Sequence, residues 1–140
     1  MQQEFSKIHH ASRDLKHCYR LYTEEWHTPP TVSANWVPEL ITLAGGQPLA
    51  LPGQWSYPVT DQDVQQFDPD IVITHWCGFG KRSRPQVILQ RPGWAQLQAV
   101  QQNQLYAVND SLLNRPGPRL TTGAEAIQHL LKKYDSSGTV

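Results

Sequence analysis

The sequence predicts an α/β fold, a three-layer αβα lobe with a mainly parallel sheet. Three observations carry this. Short β-branched or aromatic runs alternate with helical stretches along the whole chain, the pattern of helices laid on both faces of a parallel sheet. The run Ile71-Val72-Ile73-Thr74 is continuous rather than alternating, as in a strand buried on both faces. A chain of 140 residues suits one domain of this kind and buries enough surface to need no disulfide.

Taken in order, Gln2 to Lys16 carries Phe5, Ile8 and Leu15 among polar residues and reads as a weak helix. Cys18 to Thr23, rich in aromatic residues, reads as the first strand, ended by His27-Thr28-Pro29-Pro30. Ser33 is the expected N-cap of a helix through Val37, Leu40, Ile41 and Ala44, and Gly45-Gly46 ends it because glycine takes a left-handed C-cap at little cost. Gln47 to Pro58, with its prolines and glycine, reads as loop. Thr60-Asp61-Gln62-Asp63 resembles a capping box and opens a short helix to Phe67. Asp68-Pro69-Asp70 turns the chain into Ile71–Thr74, the second strand. Ser83-Arg84-Pro85-Gln86 repeats a capping signature ahead of Val87, Ile88 and Leu89, and Trp94 to Val100 forms another short helix or turn. Leu105 to Val108 is the third strand. Leu120 to Tyr134 is a closing amphipathic helix, and residues 135–140 read as a frayed tail.

Composition excludes several classes. Lys plus Arg equals Asp plus Glu at 12 each, so there is no basic field for nucleic acid or anionic lipid. No run approaches the ~20 apolar residues of a membrane span. The first twenty residues lack the apolar core of a secretory signal, so the chain as written is expected to be cytoplasmic. Cys18 and Cys77 read as buried or half-buried small residues.

In a parallel sheet, ligands sit at the C-terminal ends of the strands. The loops expected there are Glu24–Pro30, His75–Gly80 and Asn109–Arg115. They hold Glu24, Glu25, Trp26 and His27; His75, Trp76, Cys77 and Phe79; and Asn109, Asp110, Ser111, Asn114 and Arg115. Trp55 and Tyr57 in the Pro-rich segment and Trp36 at the helix start add aromatic faces, although Trp36 and Trp94 also suit core packing. A flat apolar ligand needs such faces for area and a few polar groups for orientation. His75 and Cys77 stand two apart, so on a continuing strand they would point to opposite sides. With no C-x-x-C or H-x-x-x-H pair and no oxyanion device, neither a metal site nor a catalytic residue is expected. Gly45-Gly46 is not a phosphate loop, since no Lys-Ser/Thr follows it.

Several strings occur together: Glu25-Trp26 with Pro29-Pro30; Asn35 to Ile41 ending in Ala44-Gly45-Gly46; Asp68 to Ile73; Cys77-Gly78-Phe79; Arg91-Pro92-Gly93-Trp94; and Asn114 to Leu120. Their order and spacing resemble the C-terminal half of cobalamin-binding periplasmic proteins, the substrate-binding components of vitamin B12 and metal-chelate ABC importers. The resemblance implies one lobe of a helical-backbone metal-receptor (class III) binding protein, not an enzyme and with no bound cofactor of its own. Residues 1–17 would match the end of the inter-lobe helix and 18–134 the C-terminal lobe, with the N-terminal lobe absent. It implies ligand contacts at Trp26, Trp36, Trp55, Tyr57, Trp76, Phe79, Asn114 and Arg115, with cobalamin or another corrinoid as ligand. It also implies a permease as partner, docked at Asp61, Gln62 and Asp63, and a periplasmic family. Two positions depart from the pattern. Gln62 stands where the family offers a glutamate, and Leu112-Leu113 where it often has aromatic residues. Half a clamp leaves an apolar face open, so a homodimer is expected, and a self-associating α/β module without transport is the alternative.

Overall fold

The structure is a computed structural model that describes residues 2–137. Its sheet is ordered β4-β2-β1-β5-β6, with β3 also paired to β1. Here β1 is Arg20–His27, β2 Pro30–Val32, β3 Gln47–Pro48, β4 Tyr57–Pro58, β5 Ile71–Thr74 and β6 Leu105–Ala107. The pairs β1–β3, β1–β5 and β5–β6 are parallel, while β1–β2 and β2–β4 are antiparallel. One edge of β1 is shared: Arg20 and Leu21 pair with β3, and Glu24 to His27 pair with β2.

The faces follow from the period of two along a strand. Leu21, Ile71 and Ile73 point to one side and pack under the helices α1 (Gln2–Ala11), α2 (Val37–Ala44) and α5 (Arg119–Ser136). Tyr22 and Val72 point to the other, against Val64 of α3 (Asp61–Phe67), Ile88, Trp94 and Ala99 of α4 (Gln98–Gln101). The fold is therefore the expected three-layer αβα lobe. Gln128 of α5 locks the first layer, its Nε2 donating to the carbonyls of Ile8 at 2.6 Å and Ala44 at 3.2 Å.

Local chemistry behaves as expected at several points. The Thr60 hydroxyl accepts from the Asp63 amide and the Asp63 carboxylate from the Thr60 amide, each at 3.0 Å, a closed capping box. Gly45 ends α2 at φ +109°.

Elsewhere long-range partners overrule the sequence. The first strand runs four residues past Thr23, through the stretch expected as loop, and returns as β2. The expected break falls at Thr28-Pro29, where the chain turns, and Pro30 is tolerated as the first residue of β2. The segment expected as plain loop likewise contributes β3 and β4. Ser33 is not an N-cap: α2 starts after Trp36 without a side-chain cap, and buried Ser33 lies within 3.2 Å of the Thr23 carbonyl. Ser83 also turns inward, its hydroxyl accepting from Thr74 Oγ1 at 2.9 Å, so Pro85–Gln90 winds as an uncapped 3₁₀ segment. Cys18 and Cys77 are exposed rather than buried, because each sits at a strand end rather than within the sheet. Helix α5 reaches Ser136, held by the Asp135 carboxylate accepting from Tyr19 Oη at 2.7 Å and the Lys16 amide at 3.1 Å. The last three residues of the expected tail lie outside the described residues.

Gly123 sits in α5, where glycine ordinarily costs ~1 kcal/mol relative to alanine. Here a Cβ would stand 2.5 Å from the Leu112 carbonyl oxygen and 2.9 Å from Leu113 Cδ2. Gly123→Ala is therefore expected to destabilise the chain by ~1–3 kcal/mol instead of stabilising it. Urea unfolding checks the sign; a gain in stability would show that the helix and the 110–113 turn do not meet this closely.

Candidate functional site

The C-terminal ends of β1 and β5 bring together four rings. Trp76 and Phe79 meet edge to face at 5.3 Å between centroids, and Trp26 meets Phe79 at 5.9 Å. His27 lies 4.8 Å from Trp76, 5.8 Å from Phe79 and 4.3 Å from Trp26. Such contacts hold the rings as one apolar wall. Beside it opens a cleft of about 360 Å³ lined by Trp76, Gly78, Phe79, Arg82 and Arg84.

The wall stands on a buried ion pair. Glu24 and Arg91 meet in a fork, Arg91 Nη1 donating to Oε1 at 2.6 Å and Nη2 to Oε2 at 3.0 Å. Tyr22 Oη donates to Oε1 at 2.7 Å and Trp76 Nε1 to Oε2 at 2.9 Å, so each carboxylate oxygen accepts two bonds. Arg91 also donates to the His27 carbonyl at 3.2 Å and lies 4.6 Å over the Trp94 ring. Glu24 is fully buried, and the β1 irregularity between Glu24 and Trp26 lets Trp26 reach the surface nearby. Burial, then the neighbouring carboxylate, pushes the Tyr22 hydroxyl well above its ordinary range.

A second polar chain fixes the loops. Asn114 Nδ2 donates to the His75 carbonyl at 3.3 Å and to Cys77 Sγ at 3.0 Å, which orients the amide so that Oδ1 faces His75 Nδ1 at 2.5 Å. Oδ1 can only accept, so Nδ1 carries the proton and Nε2 accepts from the Ser33 hydroxyl. Burial pushes the His75 imidazole down to about 4. Partial loss of solvent around the sulfur also raises the thiol of the otherwise exposed Cys77, with the charge of Glu25 adding to it. Because β5 ends at Thr74, His75 and Cys77 do not diverge; both meet Asn114. The Asp110 carboxylate accepts from the amides of Gly78 at 2.8 Å and Gly80 at 3.1 Å, shaping the turn that carries Phe79. Serine, histidine and asparagine here stand in the order of a catalytic relay. However, Ser33 and His75 are buried, and their bonds join β5, the segment before α2 and the 110–114 turn. Among the described residues no three His, Cys, Asp or Glu side chains converge as metal ligands.

Of the residues expected to contact ligand, Trp26, Trp76 and Phe79 are brought together. Trp76 is turned inward by its bond to Glu24 and keeps only 4% of its surface exposed. Trp36 is drawn toward the first core, its Nε1 donating to the Leu113 carbonyl at 2.7 Å, and Tyr57 packs against the second. Trp55 is 86% exposed on a loop tied to the face through Ser56, whose hydroxyl donates to Glu25 Oε1 at 3.1 Å. Arg115 is exposed and Asn114 is spent on His75. Leu113 is fully buried in the core and Leu112 packs on it, so this pair offers no ring-stacking position. At the start of α3, Asp61 accepts from Trp94 Nε1 at 2.7 Å and Asp63 closes the capping box, which leaves Gln62 as the uncommitted exposed side chain. Asp110 lies in a loop the sequence singles out, whereas Arg91, Arg82 and Arg84 are not marked as functional by the sequence. The available signal was Glu24, a carboxylate next to a buried apolar run, which demands a cation.

The periplasmic binding protein family model matches residues 21–112. The vitamin B12-binding protein of Vibrio cholerae is 26% identical over 133 residues, covering 93% of this chain and 45% of that protein. The solved structure of the periplasmic vitamin B12-binding protein of Vibrio cholerae superposes with a TM-score of 0.71 at 24% identity, over 94% of this chain and 51% of the other. A periplasmic heme-binding protein from Roseiflexus sp. RS-1 does so with a TM-score of 0.78 at 18% identity, over 94% and 52%. The chain thus spans about half the length of these relatives. Its fold is that of the class III binding proteins, and the chain belongs to the periplasmic binding protein family.

Proposed function

We propose that the chain supplies one ligand-binding wall of an ABC-type importer for a corrinoid or related metal chelate. The observation that supports this most is the cluster of Trp26, His27, Trp76 and Phe79 at the strand ends, where such sheets receive ligands. Exposed Trp26 and half-buried Phe79 offer ring surface to a flat macrocycle, and Trp76, fixed by its bond to Glu24, backs Phe79. The role is binding rather than catalysis, in keeping with the burial of Ser33 and His75. The permease would meet the start of α3, with Gln62 as its exposed contact. The family is periplasmic, and the cytoplasmic placement expected from the N-terminal residues finds no support in it. No helix among the described residues is long and apolar enough to cross a membrane.

These 140 residues offer a macrocycle one wall. Losing half of a clamp's apolar contact at ~25 cal/mol per Å² removes several kcal/mol. Cyanocobalamin is therefore expected to bind in roughly the high-micromolar range. Calorimetry tests this: nanomolar binding by the monomer would contradict the one-wall reading. Replacing Trp26 and Phe79 with alanine should abolish what binding there is.

Self-association through the same face is the companion expectation, but its area is smaller than six open aromatics would give, since Trp76 is buried and Trp36 and Tyr57 are half-buried. Sedimentation at micromolar concentration decides it. A dimer that dissociates in Trp26→Ala supports the two-fold contact, and a clean monomer removes it.

A further inference from the structure

A second cleft opens at the other end of the sheet, where β1, β3 and β5 begin. It measures about 390 Å³, and His17, Arg20, Gln47, Asp70, Gln98 and Tyr134 lie along it. Main-chain amides tie its walls. The amide of Gln47 donates to the Tyr19 carbonyl, that of Asp70 to the Arg20 carbonyl and that of Arg20 to Asp70 Oδ2, each at 2.8 Å. The Gln98 amide donates to Asp68 Oδ1 at 2.9 Å. The side chains that face the cleft are left unspent. Tyr134 keeps only 6% of its surface exposed, its ring edge to face with Tyr19 at 4.9 Å. Its hydroxyl opens on the cleft and has no hydrogen-bond partner among the described residues, although a phenol this buried ordinarily finds one. Burial, then the charge of Asp70, raises that hydroxyl, so it stays a donor. Arg20 Nε is buried without a hydrogen bond, with Asp70 Oδ2 3.7 Å away. The exposed side-chain amides of Gln47 and Gln98 bond to nothing among the described residues.

Charge selects the occupant. Arg20 is balanced by Asp70, and the cleft lies at the last turn of α5, whose carbonyl end is negative. The Asp135 carboxylate, which accepts from Tyr19 Oη, adds to that. An anion meets these acids, and a cation meets Arg20. A neutral molecule with adjacent hydroxyls accepts from Arg20, Tyr134 and the glutamines while donating to Asp70. We infer that this cleft binds a neutral polyhydroxylated molecule of monosaccharide size, with Arg20 and Asp70 holding adjacent hydroxyls and Tyr134, Gln47 and Gln98 the others. The volume falls within the ~300–1,000 Å³ of small-molecule sites. The cleft shares no residue with the aromatic wall, so this inference stands apart from the reading of that wall as a chelate site.

The experiment adds D-glucose, D-galactose or D-mannose to the full chain, with sodium acetate and ethylammonium chloride as charged probes, and follows backbone amide shifts by NMR. At least one sugar is expected to bind with a dissociation constant on the order of millimolar. It should move the amides of Gln47, Asp70 and Gln98 and leave those of Gly78 and Gly80 in place. Tyr134→Phe keeps the ring in the core and removes the hydroxyl, and Gln98→Ala changes an exposed side chain. Each should weaken sugar binding about fivefold, the range of one neutral hydrogen bond. Acetate or ethylammonium moving these amides at lower concentration than any of the sugars would overturn the inference, as would sugar binding indifferent to both substitutions. No shift at these amides with any of the three sugars at ~100 mM would end it.

Discussion

Arg91→Met is expected to lower the unfolding free energy by ~3–5 kcal/mol, the usual cost of leaving one member of a buried ion pair without its partner. Glu24 is fully buried, and Arg91 supplies two of its four bonds in the forked geometry. Tyr22 and Trp76 remain as donors, but both are neutral and cannot balance the charge. The loss should reach the ligand face, since Trp76 is held by the same carboxylate and the His27 carbonyl by the same guanidinium. The double variant Glu24→Gln/Arg91→Met removes both charges and keeps an acceptor for Tyr22 or Trp76. It is expected to recover more than half of what the single change loses. Urea unfolding of the two variants and of Glu24→Gln alone gives the coupling. Strictly additive losses would mean that packing of Arg91 over Trp94, rather than charge compensation, carries its contribution.

Much of the fold is legible in the sequence wherever the signal is local. Ile71–Thr74 declares itself because four consecutive apolar or β-branched residues suit only a strand covered on both faces. The Thr60–Asp63 box and Gly45 are likewise local, and the structure keeps both. Ser33 and Ser83 show the limit. Each stands where a cap belongs, and each hydroxyl instead serves the sheet, at Thr23 and His75 in one case and Thr74 in the other. A cap is worth ~1 kcal/mol, less than the cost of leaving buried polar groups without partners, so the distant bonds win. The ligand face is half legible for the same reason. The loops after β5 and β6 are where they were expected, the stretch from Glu24 to His27 is strand instead, and Trp26, Trp76 and Phe79 meet at these ends. Which rings stay open depends on polar atoms far along the chain: Glu24 draws Trp76 inward and the Leu113 carbonyl draws Trp36.

Acid should loosen this face before carboxylate titration unfolds the chain. His75 is fully buried, and its imidazole is pushed from an ordinary 6.5 down to about 4. Below pH 6.5 the unfolded chain takes up a proton that the folded chain refuses, so stability is fully present above that pH and falls until pH reaches the folded value near 4. Across that window the loss is ~3 kcal/mol, about 1.4 per unit of pH. A protonated ring donates at Nε2 as well as at Nδ1, so the Ser33 hydroxyl must turn from donating to accepting, its own proton directed at the Thr23 carbonyl 3.2 Å away, while Nδ1–H keeps its bond to Asn114. The cost is therefore that of burying the charge itself. Since Ser33 and Asn114 both hold His75, relief of that cost loosens the loop after β5 that carries Trp76 and Phe79. Replacing His75 with Gln should cost stability at pH 7.5 but flatten the dependence between pH 6.5 and 4. The difference between the wild-type and variant curves cancels the carboxylates and the other histidines, which both proteins share. A ring-proton NMR titration of His75 should show its midpoint near 4. A midpoint near 6.5, or parallel stability curves, would mean that water reaches the ring and that the Ser33–His75–Asn114 chain does not hold the loops as described.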